Sequence, residues 1–102
     1  MKRIYTPNEI QERLRPVFDA VPIERAVLFG SYAKGSQTQT SDVDILIDSK
    51  GQIRGIDFFG VLEDITQVLS VPVDLIEASQ LINGSRTQRE IAETGIVIYE
   101  RA

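Results

Sequence analysis

One apolar run with a charge inside it constrains the fold of this chain most strongly. The run Val43–Ile47 is apolar at every position except Asp44, and such a run predicts a strand that is buried on both faces. An ionised carboxylate in that setting is costly unless it is paired or coordinated. The run therefore predicts an interior strand of a sheet that is covered on both faces, and it marks Asp44 as a candidate functional residue.

Short apolar runs alternate with amphipathic stretches along the whole chain. Thr6, Pro7 and Glu9 form the pattern of a capped helix start, and Gly95 is well placed to end a later helix. Strands are predicted over 25–29, 43–47, 73–76 and 96–99, and further helices over 58–69 and 87–93. This alternation predicts a single α/β (α+β) domain over residues 1–102, built on a mixed β-sheet.

Composition excludes several kinds of site and partner. The 102 residues include no cysteine and no histidine, so Ser-His-Asp and Cys-His mechanisms and His-ligated zinc are excluded. The net charge of −4 and the scattered basic residues predict no nucleic-acid partner. The apolar runs are too short for a membrane span, and the basic start Met1-Lys2-Arg3 lacks the apolar stretch of a secretory signal. We therefore expect no membrane association and a cytoplasmic location.

A turn bounded by glycines follows the first predicted strand. Gly30 lets the backbone turn sharply and lets a ligand approach closely. One helical turn over residues 31–34 would aim its free N–H groups at one place that attracts phosphate. The Ser31 hydroxyl adds a donor, Lys34 is the basic residue predicted to contact a nucleotide, and Gly35 can end the turn in a left-handed conformation. The segment predicts a phosphate site, although a Gly-Ser turn alone is more often purely structural.

Two carboxylates open the next apolar run. Side chains at positions i and i+2 of a strand share a face, about 7 Å apart, so Asp42 and Asp44 could bridge metal ions that sit roughly 4 Å apart in two-metal sites. Magnesium prefers such oxygen ligands. The alternative is that Asp42 is a turn residue and that only Asp44 is unusual.

A third carboxylate is expected from a neighbouring strand. Asp74 repeats the pattern of an acid inside an apolar run, here residues 73–76, and it is the best candidate. Asp48 shares a face with Asp44 but lies about 13 Å further along the strand, so we interpret it as a strand-end residue. Glu77 is interpreted as a surface residue. The phosphate turn, the Asp-x-Asp pair and a second acid buried in a strand, in this order, are specific in combination.

These segments resemble a known family signature. The stretches Phe29–Gly35 and Ser41–Ile45, with their spacer, resemble the signature of the DNA polymerase β-type nucleotidyltransferase superfamily. The length and details resemble its minimal nucleotidyltransferase (MNT) proteins, which are found as antitoxins beside a HEPN toxin. The resemblance covers residues 7–100, including the segment 89–95 and the closing strand. It implies a small mixed sheet with helices packed on one side.

The resemblance also implies roles for the candidate residues. Gly30 and Ser31 would hold the triphosphate of ATP. Asp42 and Asp44 would ligate two magnesium ions. Asp74 would ligate the ion that activates the attacking hydroxyl and would serve as the base for that hydroxyl.

The implied reaction is transfer of AMP from ATP to a hydroxyl group, most simply a tyrosine of a cognate HEPN toxin, a ribonuclease that the modification silences. Two alternatives stay open. The protein could be a non-catalytic module that neutralises a toxin by contact. It could also be a transferase for a small-molecule acceptor that works as a homodimer, with each subunit completing the site of the other. The residues leave the acceptor and the oligomeric state undecided.

Overall fold

The computed structural model of the chain describes residues 4–38 and 41–101. Residues 39 and 40 of the predicted polar stretch, and the basic residues 1–3, lie outside the described part. The helices and strands follow in the order α1 (Pro7–Asp19), β1 (Arg25–Phe29), α2 (Ser31–Lys34), β2 (Val43–Asp48), α3 (Ile56–Leu69), β3 (Val73–Glu77), α4 (Arg86–Thr94) and β4 (Ile96–Glu100), with a short 3-10 turn over Ala78–Gln80.

The four strands form one mixed sheet in the order β3-β2-β1-β4. Strand β1 runs antiparallel to both β2 and β4, whereas β2 and β3 are parallel and are joined through α3. Parallel neighbours need a crossover connection of this kind. The predicted mixed sheet is confirmed, and β2, β3 and β4 each extend one residue beyond the predicted run.

Helix α1 begins at the predicted capping box. The Thr6 hydroxyl accepts a hydrogen bond from the Glu9 N–H group (3.2 Å), and the Glu9 carboxylate accepts one from the Thr6 N–H group (2.9 Å). Its apolar residues Ile10, Leu14 and Phe18 are fully buried. The longest helix in the described part of the chain, α3, has 14 residues, and no helix there is long and apolar enough to cross a bilayer.

The sheet has a main core on one face and a smaller cluster on the other. Ala26 and Leu28 point into the main core, together with buried residues of α1 and α3. Val27 and Phe29 point to the opposite face, where they join Leu46 and the partly buried Ile91 of α4. The two long helices therefore lie on one side, as the resemblance implies, and the structure adds the shorter α4 on the opposite side. Asp44 shares that second face with Leu46, since side chains alternate along a strand.

Candidate active site

The glycine-bounded turn has the conformation that its sequence predicts. Gly30 has φ 76° and ψ −153°, and the single-turn helix α2 begins directly after it. The Gly30 carbonyl accepts a hydrogen bond from the Lys34 N–H group at 3.1 Å. Gly35 ends the helix with φ 77° in the left-handed region, and its N–H group donates to the Ser31 carbonyl. The N–H group of Ala33 also donates to the Gly30 carbonyl, at 3.1 Å, so the N–H groups of α2 that precede the first helical bond are those of Ser31 and Tyr32.

Two contacts anchor this turn to the rest of the fold. The Tyr32 side chain is buried in the main core and is 2% exposed. On the other side, the Gly30 N–H group donates to Thr94 Oγ1 at 3.1 Å, and that hydroxyl donates to the Glu90 carbonyl at 2.7 Å. The Gly30 N–H group is therefore used inside the protein. What Gly30 offers a ligand is the absence of a side chain, and the donors of the turn begin at Ser31.

Gly30 also makes room for Asp44. In the antiparallel ladder Phe29 pairs with Asp44, so Gly30 leaves β1 directly beside the Asp44 side chain. A Cβ atom at Gly30 would clash with Asp44 Oδ2 and would lie 3.2 Å from Asp44 Cγ. A side chain at position 30 would therefore displace the Asp44 carboxylate, and it would also be strained by the positive φ.

The sheet register brings the predicted acids to one end of β2 and β3. In the parallel ladder Asp44 pairs with Asp74, and neighbouring strands lie about 4.8 Å apart. Asp44 is partly buried, whereas Asp42 is exposed. The expectation that Asp74 is a buried acid is wrong: Asp74 is exposed, and it lies on β3, which is an edge strand of the sheet. Asp42 lies one residue before β2 begins. The structure thus places Asp74 beside Asp44, at the site where the sequence pattern expects a third carboxylate.

The acids act on one another electrostatically. Burial, as the largest cause, and the negative charges of Asp74, Glu90 and Asp42, in that order of effect, together raise the pKa of Asp44 from its ordinary value of 3.8 to about 6. Glu90 was missed by the sequence reasoning. It lies on α4, four residues before Thr94, inside the segment 89–95 that takes part in the family resemblance, and this placement is the signal that could have identified it.

The donor set suits magnesium. Within residues 4–38 and 41–101, no three acidic side chains are already gathered as a complete metal site. Magnesium commonly takes one or two protein carboxylates and fills its remaining positions with water and substrate phosphates. The carboxylates of Asp42, Asp44 and Asp74 are ligands of the preferred kind. The raised pKa of Asp44 reflects burial first and the neighbouring negative charges second, and a bound cation would favour the ionised carboxylate against both.

The other candidate residues lie around this end of the sheet or away from it. Lys34 is exposed at the end of α2. Asp48 is the last residue of β2, as interpreted from the sequence. Its carboxylate accepts a hydrogen bond from the Lys50 N–H group at 3.1 Å and lies 3.7 Å from the Lys50 ammonium. Asp48 therefore belongs to the opposite end of the strand from Asp44.

The interpretation of Glu77 as a surface residue is wrong. Glu77 is 2% exposed. Its carboxylate accepts hydrogen bonds from the N–H group and the hydroxyl of Ser49, at 2.8 and 2.5 Å, and from the N–H group of Ser79 at 2.6 Å. Burial alone raises the pKa of Glu77, but the bonds from Ser49 and Ser79 outweigh burial and hold the pKa at about 2. Glu77 fastens the end of β3 to the loop after β2. No sequence pattern identified it, because an acid at a strand end is usually exposed.

Comparison with known proteins places this geometry in context. Residues 9–102 match the family described as polymerase beta, nucleotidyltransferase. The chain is similar to a Methanocaldococcus jannaschii protein that is named as an inferred protein adenylyltransferase. The two are 31% identical over 83 residues, which cover 78% of this chain and 96% of that protein.

The fold is shared with solved structures, including the following two. One is a crystal structure of a toxin-antitoxin with AMP-PNP, with a TM-score of 0.71 and 22% identity over 95% of this chain and 75% of that chain. The other is a tri-AMPylated Shewanella oneidensis HEPN toxin in complex with MNT antitoxin, with a TM-score of 0.69 and 17% identity over 94% of this chain and 74% of that chain. At these identities the likeness establishes the fold alone.

Proposed function

Since this chain belongs to the polymerase β-type nucleotidyltransferase family, we propose that it is a magnesium-dependent protein adenylyltransferase, which transfers AMP from ATP to a hydroxyl group of another protein. The observation that carries the proposal is the pairing of Asp44 with Asp74 directly beside the Gly30 turn. A phosphate-binding turn and two adjacent carboxylates are what transfer of a nucleotide from a triphosphate requires. The name of the Methanocaldococcus jannaschii relative supports AMP as the group transferred.

The chain offers separate groups for the phosphates and for the metal. The Ser31 hydroxyl and the first N–H groups of α2 would bind the triphosphate, and the exposed Lys34 would add a positive charge. Asp42, Asp44 and Asp74 would hold two magnesium ions through their carboxylate oxygens. Bound magnesium would neutralise phosphate charge and lower the pKa of the acceptor hydroxyl.

The proposed reaction is an in-line displacement at the α-phosphorus of ATP. The acceptor hydroxyl oxygen forms a bond to that phosphorus, and the bond from the phosphorus to the bridging oxygen breaks, so pyrophosphate leaves with the bonding electron pair. Asp74 takes the proton from the acceptor hydroxyl. Its exposed position on β3 suits that role, because the acceptor belongs to a second molecule and must reach the site from solvent.

We further propose that the acceptor is a tyrosine of a HEPN-type toxin. Support comes from the fold shared with an MNT antitoxin that was solved in complex with an AMPylated HEPN toxin. The exposed Asp42 and Asp74 leave the site accessible to a protein surface of that kind.

The test uses the full chain, a HEPN-type protein from the same genome and ATP labelled at the α-phosphate, with magnesium chloride. We expect label on a tyrosine of the HEPN-type protein, and no label when EDTA replaces magnesium or when Asp44→Asn replaces the natural chain. Neutralisation of the ribonuclease without ATP or labelling would instead support the non-catalytic binding module. Label transferred only to a small hydroxyl compound would contradict the protein acceptor.

A further inference from the structure

The Thr94 hydroxyl makes two hydrogen bonds that define its orientation. It donates its proton to the Glu90 carbonyl at 2.7 Å, so its lone pairs are left to accept the Gly30 N–H group at 3.1 Å. The two partners lie in different parts of the chain, since Thr94 ends α4 and Gly30 follows β1. Because threonine is branched at Cβ, its χ1 angle is restricted, and the hydroxyl is held in place.

The end of α4 has little freedom to move relative to β1. A Cβ atom at Gly95 would lie 2.5 Å from the Ile91 carbonyl oxygen and 3.0 Å from Val27 Cγ1. Ile91 itself packs against the small cluster on this face of the sheet. Thr94 therefore presents its hydroxyl from a tightly packed position, and it can act as a fixed support for the Gly30 turn.

Gly30 needs such a support. Its φ and ψ of 76° and −153° belong to a region that is open almost only to glycine, and glycine has many competing conformations. The same residue sits against the Asp44 carboxylate on one side and starts α2 on the other. A rotation at Gly30 would move the N–H groups of α2 and would change the space available to Asp44.

We propose that Thr94 is a positioning residue for the nucleotide: by holding the Gly30 N–H group, it fixes the turn in the conformation that receives the triphosphate beside Asp44. The inference rests on the proposed function, because it assigns Thr94 to the nucleotide site of that function. Thr94 does not touch the nucleotide in this scheme and acts only through Gly30.

The test compares ATP binding by two substitutions at residue 94. Thr94→Val keeps the branched shape and removes the hydroxyl, so it should weaken ATP affinity roughly tenfold, the effect of one lost hydrogen bond that leaves its partner unsatisfied. Thr94→Ser keeps the hydroxyl and should stay within about twofold of the natural chain. Affinity is measured by titration calorimetry with ATP and magnesium chloride, at a temperature where circular dichroism shows every variant folded.

The chain offers a matched control in α3. Thr66 makes the same bond to the carbonyl four residues earlier, with its hydroxyl donating to Leu62 at 2.8 Å, and Thr66 takes no part in the hydrogen bonds described for the Gly30 turn. Thr66→Val should lower the melting temperature to a similar degree and leave ATP affinity unchanged. A purely structural role for Thr94 predicts the same outcome for Thr94→Val.

The possible outcomes separate the two proposals. If the natural chain binds ATP and folded Thr94→Val binds it equally well, the inference about Thr94 is overturned and the proposed function stands. If the natural chain binds no ATP, both proposals fail. If Thr94→Val does not fold, Thr94→Ala replaces it in the comparison with Thr94→Ser. Hydrogen exchange of the Gly30 amide is then measured as well, and it should be faster in Thr94→Ala, which lacks the hydroxyl, than in Thr94→Ser. Equal exchange at Gly30 in these two variants would also overturn the inference.

Discussion

The carboxylate of Asp44 occupies the space that a side chain at Gly30 would fill. A Cβ atom there would clash with Asp44 Oδ2, and both residues belong to the candidate nucleotide site. The turn and the acid are therefore mutually dependent, and a change in one should disturb the other.

The first prediction concerns the two glycines of the turn. Gly30→Ala should lower the free energy of unfolding by about 2–4 kcal/mol, because it adds a clash with Asp44 to the strain of a positive φ. Gly35→Ala is the control for a positive φ in the ordinary left-handed region. Its φ is also positive, at 77°, but no atom lies within 4 Å of its added Cβ, so the loss should be about 1 kcal/mol. Equal losses in urea denaturation would show that the contact with Asp44 is unimportant.

The second prediction concerns the charge of Asp44. Its folded-state pKa is raised to about 6 from 3.8, so the ionised carboxylate destabilises the folded protein, and stability is lost as the pH rises from about 4 to 6. In EDTA, Asp44→Asn should therefore be more stable than the natural chain by about 1–2 kcal/mol at pH 7, after allowance for solvent screening. Below pH 4 the advantage should disappear. Thermal denaturation of both proteins at pH 7 and below pH 4 measures the difference in stability. A stability difference that does not depend on pH would contradict this explanation.

The third prediction separates binding from chemistry at Asp74. Asp74→Asn should leave ATP affinity nearly unchanged and reduce kcat for AMP transfer by about a hundredfold or more, because the acceptor hydroxyl loses its base. Asp48→Asn is the control at the far end of β2, and its kcat should be close to that of the natural chain. A normal rate in Asp74→Asn, or a lost rate in Asp48→Asn, would move the acceptor side of the site elsewhere.

The fourth prediction concerns the buried carboxylate of Glu77. Its pKa is held at about 2 against an ordinary value of 4.5, so it stabilises the folded protein above pH 4.5, and this contribution is lost as the pH falls towards 2. Glu77→Gln should lower the free energy of unfolding at pH 7 by about 2 kcal/mol. The difference in the free energy of unfolding between this variant and the natural chain should shrink steadily below pH 4.5. Glu12→Gln, at an exposed position of α1, is the control and should change the free energy of unfolding little. If Glu12→Gln loses as much stability as Glu77→Gln, the role given to Glu77 is wrong.

Much of the local structure could be predicted because it depends on neighbours in the sequence. The capping box at Thr6 and Glu9, the left-handed end of α2 at Gly35 and the apolar run of β2 are each set by a few adjacent residues. The acid inside an apolar run identified Asp44 and Asp74 as unusual, since burial of an unpaired charge is unfavourable in any fold. That reason holds for Asp44, which is partly buried, but not for Asp74, which is exposed. The mixed sheet followed from the alternation of such segments.

The tertiary structure decided what depends on residues far apart in the chain. The sequence marked Asp44 and Asp74, but the parallel register of β2 and β3 made them direct partners. Gly30 and Thr94, separated by 64 positions, are joined by one hydrogen bond, and Glu77 is buried only because Ser49 and Ser79 satisfy its carboxylate. Local patterns record the preferences of neighbouring residues, whereas a hydrogen bond between distant groups exists only after packing has brought them within reach.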